Sequence, residues 1–372
     1  MTERKINFVD LPARHMRYAE DFHRVLDDRL QTGSYILGEG VEAFERQLAE
    51  YVGVEHVVAV GNGTDALMLA MKSQGIGEGD EVITSPMSYL ATTSSIALIG
   101  AEAVMVDIDE SLNLDPGRIE EAITDRTKAI MLVHLSGLPA QVEEIRRIAD
   151  QHELKLIEDC AQSLGACYGG VKVGCFGDLA AVSFHPLKNL GGLGDGGAVF
   201  TNNAELASQL RMMRNHGHSG RDQCDFWSVN SRLDSLQAGF LSVQLRDYEE
   251  ALSHRRRLAE IYRCRLTGVI DFPCIWSEAI ASYNWLMILV EDRQRLMEFL
   301  QSRGVETKIH YPLLISDMAA AEKSCRINGD IGMARERVDQ ILSLPNAEHV
   351  NDTDVHFICD CIIDFFEAGA SA

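Results

Sequence analysis

Lys188 stands in the run His185-Pro186-Leu187-Lys188-Asn189-Leu190-Gly191-Gly192-Leu193-Gly194-Asp195-Gly196-Gly197, an amine beside five glycines and between two apolar runs. Backbone so rich in glycine folds tightly around a ligand. A lysine desolvated there, near a second positive charge, has its pKa lowered, and the neutral amine then condenses with a carbonyl as a Schiff base and shuttles a proton. The ordinary alternative is a solvated surface lysine. Asp159 ends the apolar run KLIE and is followed by Cys160-Ala161-Gln162. A carboxylate leaving an apolar strand is costly to bury unless a cation or donor meets it. A pyridinium N–H would serve, and an ionised aspartate would keep that ring nitrogen protonated and the ring electron-withdrawing. A helix cap or a structural ion pair explains the same residue taken alone. Gly61-Asn62-Gly63-Thr64-Asp65 precedes the helical run ALMLAM. Glycines admit an anion close to the backbone, and Thr64 or Asp65 capping a helix leaves free N–H groups facing a phosphate. A plain tight turn before a helix is equally compatible.

The elements that must position these residues are legible as apolar runs: HVVAV (56–60), EVITS (81–85), AVMVDI (103–108), AIMLVHL (129–135), KLIED (155–159), AAVSF (180–184) and GAVFT (197–201). Continuous β-branched runs of this length suit strands covered on both faces. Helical patterns between them, Asp65–Gln74 and Gln141–His152, have the spacing of crossovers in a mostly parallel sheet. The chemistry-bearing residues all follow strands, where open α/β sheets bind ligands. Residues 1–245 are therefore expected to form a large α/β domain. A long amphipathic helix from Leu245 to Leu266 leads into a smaller one, 246–372, with a strand candidate at WLMILV (285–290).

The 372 residues suit two domains, and 46% apolar with 24% charged residues is ordinary for a folded chain. A formal charge of −22 repels phosphate backbones and anionic lipid, so neither nucleic acid nor a membrane is an expected partner. The N-terminus lacks an apolar segment, and the odd count of nine cysteines points to reduced, mostly buried thiols in a cytoplasmic protein. Cys359 and Cys361 are too close for a ligand pair and no CxxC or HExxH occurs, so no metal is expected.

Taken together, YILGEGVEAFE (35–45), GNGTDAL (61–67), GDEVITSPMSYLATTSSI (79–96), VDID (106–109), VHLSGLPA (133–140), IEDCAQSLGA (157–166), SFHPLKNLGGLGDGGAVFT (183–201), RNHG (214–217), NSRLDSLQA (230–238) and KIHYP (308–312) resemble the DegT/StrS-type sugar aminotransferases. These are pyridoxal 5'-phosphate (PLP) enzymes of fold type I, the aspartate-aminotransferase architecture. The resemblance implies a mostly parallel mixed sheet flanked by helices, with a small C-terminal α/β domain. It places Lys188 on the Schiff-base lysine and Asp159 on the carboxylate that pairs with the pyridine nitrogen. Gln162 falls on the residue that bonds the cofactor's phenolic oxygen, Tyr89 on the aromatic that stacks on the ring, and Gly63, Thr64 and Ser183 on the phosphate binders. Asn230 falls on an asparagine that reaches the neighbouring subunit's cofactor, which implies a homodimer with shared sites. Relatives with histidine in place of the lysine are dehydratases, so Lys188 favours amino transfer.

The implied reaction moves an amino group from an amino acid, usually glutamate in this family, to a keto-sugar in two half-reactions. KNLGGLGDGG resembles relatives acting on nucleotide-linked 3-keto-deoxyhexoses, whereas His185 before Pro186 resembles those acting at carbon 4. The 3-keto class is the expectation, with a 4-keto nucleotide sugar or a cyclitol ketone as alternatives. His185 and Tyr311 are candidate sugar contacts. His216 is a further candidate that a structural role explains better. After Tyr311 the chain departs from the family: LLISD follows, and no histidine occurs before His349. The closing FFEAGASA reads as a frayed end. Two readings from other classes lack their markers: a non-catalytic regulator would lack the lysine or add a basic segment, and a nucleotide-sugar oxidoreductase would need GxGxxG after the first strand.

Overall fold

The structure is a computed structural model that describes residues 5–370. Its main sheet has eight strands: β1 (His56–Val60), β2 (Glu81–Thr84), β3 (Glu102–Met105), β4 (Thr127–Val133), β5 (Lys155–Asp159), β6 (Leu179–Ser183), β7 (Gly197–Thr201) and β8 (Cys325–Ile327), in the order β1-β7-β6-β5-β4-β2-β3-β8. Only β7 is reversed, being antiparallel to β1 and β6 while every other pair is parallel. The carboxyl ends of β1, β2, β4, β5 and β6 therefore open on one edge. Gly197, at the start of β7, lies there too, opposite both Val60 and Ser183. The expected mostly parallel mixed sheet is the observed one.

Its helices explain the burial of the strands. Between β4 and β5, α3 is preceded by α1 (Gly63–Ser73) and α2 (Leu90–Leu98) and spans Val142–Gln151, covering the sheet with Val142, Ile145, Ile148 and Ala149. That is the stripe a 3.6-residue period dictates. The first of these helices starts two residues before the expected Asp65, because Asn62 is its N-cap: the Asn62 side chain accepts the Asp65 N–H at 2.8 Å and its carbonyl accepts the Ala66 N–H at 3.1 Å. Neither Thr64 nor Asp65 caps it. The long helix expected from Leu245 to Leu266 is observed as α5 (Tyr248–Leu266), separated from the preceding α4 (Ser235–Leu245) by Asp247, non-helical at ψ 11°.

Beyond α4, the helices α5, Arg293–Ser302 and Asp352–Ala370 enclose an antiparallel ribbon of Leu286–Leu289 with Ile341–Leu344. Tyr262, Leu266, Leu296, Leu300, Ile358 and Ile362 are fully buried in this second core, each contributing on the order of 1.5–3 kcal/mol of burial. Two segments cross the expected 245/246 division: β8 extends the main sheet beside β3, and Ile6 pairs with Val305. We propose two domains divided there, each lending the other a strand-like segment. The frayed end expected for FFEAGASA is helical as far as Ala370, and Ser371 and Ala372 lie outside the described residues. Of the cysteines, only Cys160, Cys359 and Cys361 are buried, while Cys224 and Cys264 are exposed. The expectation of mostly buried thiols fails: Cys167, Cys175, Cys274 and Cys325 are only partly covered, and Cys224 sits on a two-stranded hairpin whose residues are exposed. Among the described residues no helix is long and apolar enough to cross a membrane.

Candidate active site

Just past Ser183, the end of β6, the chain closes a turn in which the Lys188 N–H donates to the His185 carbonyl at 2.8 Å and the Leu187 N–H to His185 Nδ1 at 3.2 Å. This places the Lys188 side chain in the wall of a cavity at the sheet's carboxyl edge. Burial drives its amine down to about 8, opposed only by the negative charge of Asp159. An amine of that pKa is partly neutral at physiological pH, as a nucleophile must be.

Asp159, the last residue of β5, is 5% exposed. Thr92 Oγ1 donates to its Oδ2 at 2.8 Å and the Ala161 N–H to its Oδ1 at 3.1 Å, while Thr92 Oγ1 also lies 2.8 Å from Ser88 Oγ. Burial raises the Asp159 pKa, and the bonds from Thr92 and Ala161 and the charges of Lys188 and His134 pull the other way. A further cationic donor would complete that compensation. One residue earlier, Glu158 faces the other side of the sheet. It accepts N–H groups from Gly174, Phe176 and Gly177 at 2.7–2.9 Å and lies 3.1 Å from His134 Nε2. The Ala140 N–H donates to His134 Nδ1 at 3.1 Å, so the imidazole proton sits on Nε2 and donates to Glu158. His134, Glu158 and Cys160 are close enough to share an ion, yet the carboxylate is already filled with hydrogen bonds and serves as scaffold beneath Asp159.

The end of the cavity at the glycine turn is built from β1, β6 and β7. Because Asn62 caps α1 with its side chain on Asp65, the Gly63 and Thr64 N–H groups at the helix start have no intrahelical acceptor. Gly63 is required: a Cβ there would lie 2.7 Å from Ser183 Cβ. Gly197 packs from the other side, where a Cβ would lie 2.5 Å from the Asn62 carbonyl. Asp65 is held in place by Asn62 Nδ2 at 3.0 Å and Ser231 Oγ at 2.6 Å.

The opposite wall joins both halves of the chain. Gln162 accepts the Ser136 N–H at 2.7 Å and donates its Nε2 to the Tyr311 hydroxyl at 3.1 Å. Tyr311 is raised by burial and by Tyr89, whose ring centroid is 5.5 Å away. His310 stacks on Trp285 at 4.4 Å with rings nearly parallel, and burial and then Lys188 lower it to about 4. His185 is lowered in the same way by burial and then Lys188.

Gly63, Thr64, Tyr89, Asp159, Gln162, Ser183, His185, Lys188 and Tyr311 thus line one cavity of about 680 Å³, a size suited to a small-molecule ligand. Asn230 and His216 do not line it: both are exposed, on the segment where Asn215 bridges to Asn230. The cavity offers free helix N–H groups and a hydroxyl at one end, a buried carboxylate at its floor and a depressed-pKa lysine between, a fit for a phosphorylated aromatic ring with a protonated nitrogen and a carbonyl.

Residues 17–363 match the DegT/DnrJ/EryC1/StrS aminotransferase family. The chain belongs to that family. It is 38% identical, over 95% of its length and 98% of the relative's, to a UDP-2-acetamido-2-deoxy-3-oxo-D-glucuronate aminotransferase of Pseudomonas aeruginosa. It is 36% identical, over 98% and 97%, to a dTDP-3-amino-3,4,6-trideoxy-alpha-D-glucose transaminase of Streptomyces venezuelae. Among solved structures, NtdA of Bacillus subtilis with bound cofactor PMP superposes with a TM-score of 0.90 at 28% identity, covering 98% of this chain and 85% of that one. Like its family, this DegT/DnrJ/EryC1/StrS chain is an aminotransferase. Sequence reasoning left several cavity residues of this family member unnamed: Ser88, Thr92, Trp285 and His310. Ser88, Thr92 and His310 lie within runs that carry the resemblance but are given no role by it, and Trp285 reaches the site only through packing of the C-terminal part.

Proposed function

We propose that the cavity binds PLP and that the chain transfers an amino group from an amino acid, with L-glutamate the donor of choice, to a nucleotide-linked 3-keto sugar. The observation that carries this is the placement of a lysine lowered to about 8 and a buried aspartate in one cavity beside an unspent helix start. When bound, PLP supplies an aromatic electron sink for negative charge developing at the substrate carbon. Asp159, fixed by Thr92 and Ala161, holds the proton of the ring nitrogen. Gly63 and Thr64 N–H groups with the Ser183 hydroxyl bind the phosphate. Gln162 Nε2, already aimed at a hydroxyl oxygen, binds the phenolic oxygen, and Tyr89 covers a ring face. Lys188 Nζ attaches the cofactor and, once released, carries a proton between donor carbon and cofactor, so the two half-reactions follow ping-pong kinetics. Asn230, outside its own chain's cavity, serves the partner's in a homodimer. His185 and Tyr311, both in the cavity wall, contact the sugar. The two sugar-transaminase relatives, named for a 3-oxo and a 3-amino sugar, support the 3-keto class, and the cytoplasm is the compartment proposed.

The test is direct. Purified protein loaded with PLP is expected to show a visible band that borohydride fixes to Lys188 and that glutamate bleaches. A chromophore still fixed covalently in Lys188→Ala would overturn the lysine assignment. Product amine from nucleotide-linked 4-keto sugars or a cyclitol ketone, and none from the 3-keto members of the same panel, would overturn the 3-keto assignment.

A further inference from the structure

Behind the Lys188 turn lies a chain of three charges drawn from distant parts of the sequence, two buried arginines on either side of a largely buried glutamate. Arg14, in the short helix Leu11–Met16, donates its Nη1 to the carbonyls of Pro186 at 3.1 Å and Lys188 at 2.9 Å. Its Nε and Nη2 fork onto Glu348 Oε2 at 3.2 and 3.0 Å. The other oxygen, Glu348 Oε1, takes the same fork from Arg255 of α5, at 3.2 and 3.0 Å. Arg255 is itself tied to the carbonyls of Asn346 at 2.8 Å and Tyr283 at 3.2 Å. Both arginines are buried.

Such an arrangement is costly for stability alone, because three desolvated charges are seldom better than an apolar core of equal volume. Its geometry has a definite output. The planar guanidinium of Arg14 has one edge fixed by a carboxylate that cannot rotate, since Arg255 grips it from the far side. The remaining N–H groups then meet two carbonyls of the one turn that carries the lysine, and bidentate guanidinium contacts impose orientation as well as attraction. We propose that Arg14, locked by Glu348 and Arg255, is a positioning residue that holds the Lys188 main chain so that its amine stays in the cavity wall beside Asp159. The inference rests on the lysine's proposed role, but concerns a property of the protein that does not require cofactor.

In Arg14→Ala the turn loses both bonds, Lys188 gains freedom to reach water, and its amine relaxes upward toward the ordinary lysine value. The titratable groups that line the cavity with that amine are Asp65 from α1, Tyr89 before α2, Asp159 from β5, His185 and Asp195 from its own loop, and His310 and Tyr311 from the C-terminal part. None is altered by the variant, so a shift is assignable to the turn. The experiment labels the cofactor-free protein with a trace amine-acylating reagent across a pH series and reads Lys188 by peptide mass spectrometry. The wild type is expected to label with a midpoint near 8. Arg14→Ala is expected to move it up by about one unit or more, roughly a tenfold loss of labelling at neutral pH. Guanidinium ion is expected to return it: the cavity of about 150 Å³ flanking Arg14 and Glu348 widens in the alanine variant. Arg14→Lys, which keeps the charge and folds more readily but cannot fork, is expected to shift in the same direction as alanine. If the Lys188 midpoint stays at the wild-type value in both variants while only thermal stability falls, the triad is structural and the proposal is wrong. Absence of a visible band on adding PLP to the wild type would instead count against the cofactor reading, and leaves the labelling result standing.

Discussion

A buried amine lowered to about 8 and a buried carboxylate raised by desolvation each favour the charged form of the other. Capture of PLP requires the neutral amine. Its second-order rate in cofactor-free protein is therefore expected to rise with pH, reach half its maximum near 8 and flatten above, as stopped-flow absorbance would record. Capture already maximal at pH 6 would contradict it. His310, held near 4, is neutral across that range and adds no limb to the profile. Asp159 must stay ionised, and Thr92 is the side chain that helps it do so. Thr92→Val is nearly isosteric, removes one bond to a charged group, and is expected to reduce kcat/KM about tenfold or somewhat more. The sign of the pH effect follows: without Thr92 the carboxyl protonates more readily, so the acid limb of kcat/KM against pH moves to higher pH. An unchanged acid limb in Thr92→Val would show that the Ala161 N–H alone suffices.

Five strand ends and one strand start bring these residues together, and the hydrophobic runs announced nearly all of them. HVVAV, KLIED and GAVFT became strands with the expected bounds because both faces of the sheet are covered, and the two carboxylates that end KLIED are met by hydrogen-bond donors on opposite faces. AVMVDI stopped at Met105, since the Asp107 carboxylate turns away to accept the Met333 and Ala334 N–H groups at the start of the helix Gly332–Gln340. That partner is more than 200 positions away, which no local pattern reveals. Asn62 was passed over as cap for a similar reason: Asn, Thr and Asp all cap well, and only the observed geometry tells which one does. Lys188, Asp159 and the glycine turn were legible because charge and glycine are conspicuous amid apolar strands. Trp285 was not, since an apolar or aromatic residue in the C-terminal part looks the same whether it faces a core or a cavity. At this scale the sharpest expectation concerns Gly63→Ala. A Cβ 2.7 Å from Ser183 Cβ forces β1's exit loop away from β6 and separates the Thr64 N–H from the Ser183 hydroxyl. PLP affinity is expected to fall roughly 10- to 100-fold, about 1.4–2.8 kcal/mol, with the far-ultraviolet circular dichroism unchanged. Wild-type affinity in this variant would remove the phosphate role from that loop.

Across the whole molecule the chain is stitched by contacts between its ends, and these set its response to acid. Glu348 joins Arg14 near the N-terminus to Arg255. Burial alone would raise its pKa, but Arg255 and Arg14 hold it at about 2, below the ordinary value near 4.3. A depressed folded-state pKa stabilises the protein above the unfolded value and is lost as pH falls toward the folded one, here roughly 3 kcal/mol between about pH 5 and 2. Glu348→Gln is expected to lower the melting temperature at pH 7 and to flatten its dependence on pH in that window. An equal acid slope in variant and wild type would assign the sensitivity elsewhere. The other molecule-wide question is which cavity Asn230 serves. It is exposed, as are Trp227 and Val229 just before it and Tyr89 and Leu187 at the rim of the chain's own cavity, and exposed apolar residues in such number favour a partner. In a two-fold dimer whose sites are shared, Lys188→Ala and Asn230→Ala damage different halves of each site. A hybrid of the two variants then holds one cavity with both defects and one with neither. Mixing the two weak proteins under conditions of subunit exchange is expected to restore about a quarter of wild-type amino transfer, the share of intact sites in a random mixture of symmetric dimers. If Asn230 served its own chain's cavity, both cavities of the hybrid would carry a defect and mixing would restore nothing, so the outcome separates a shared site from a self-contained one without any structure of the dimer.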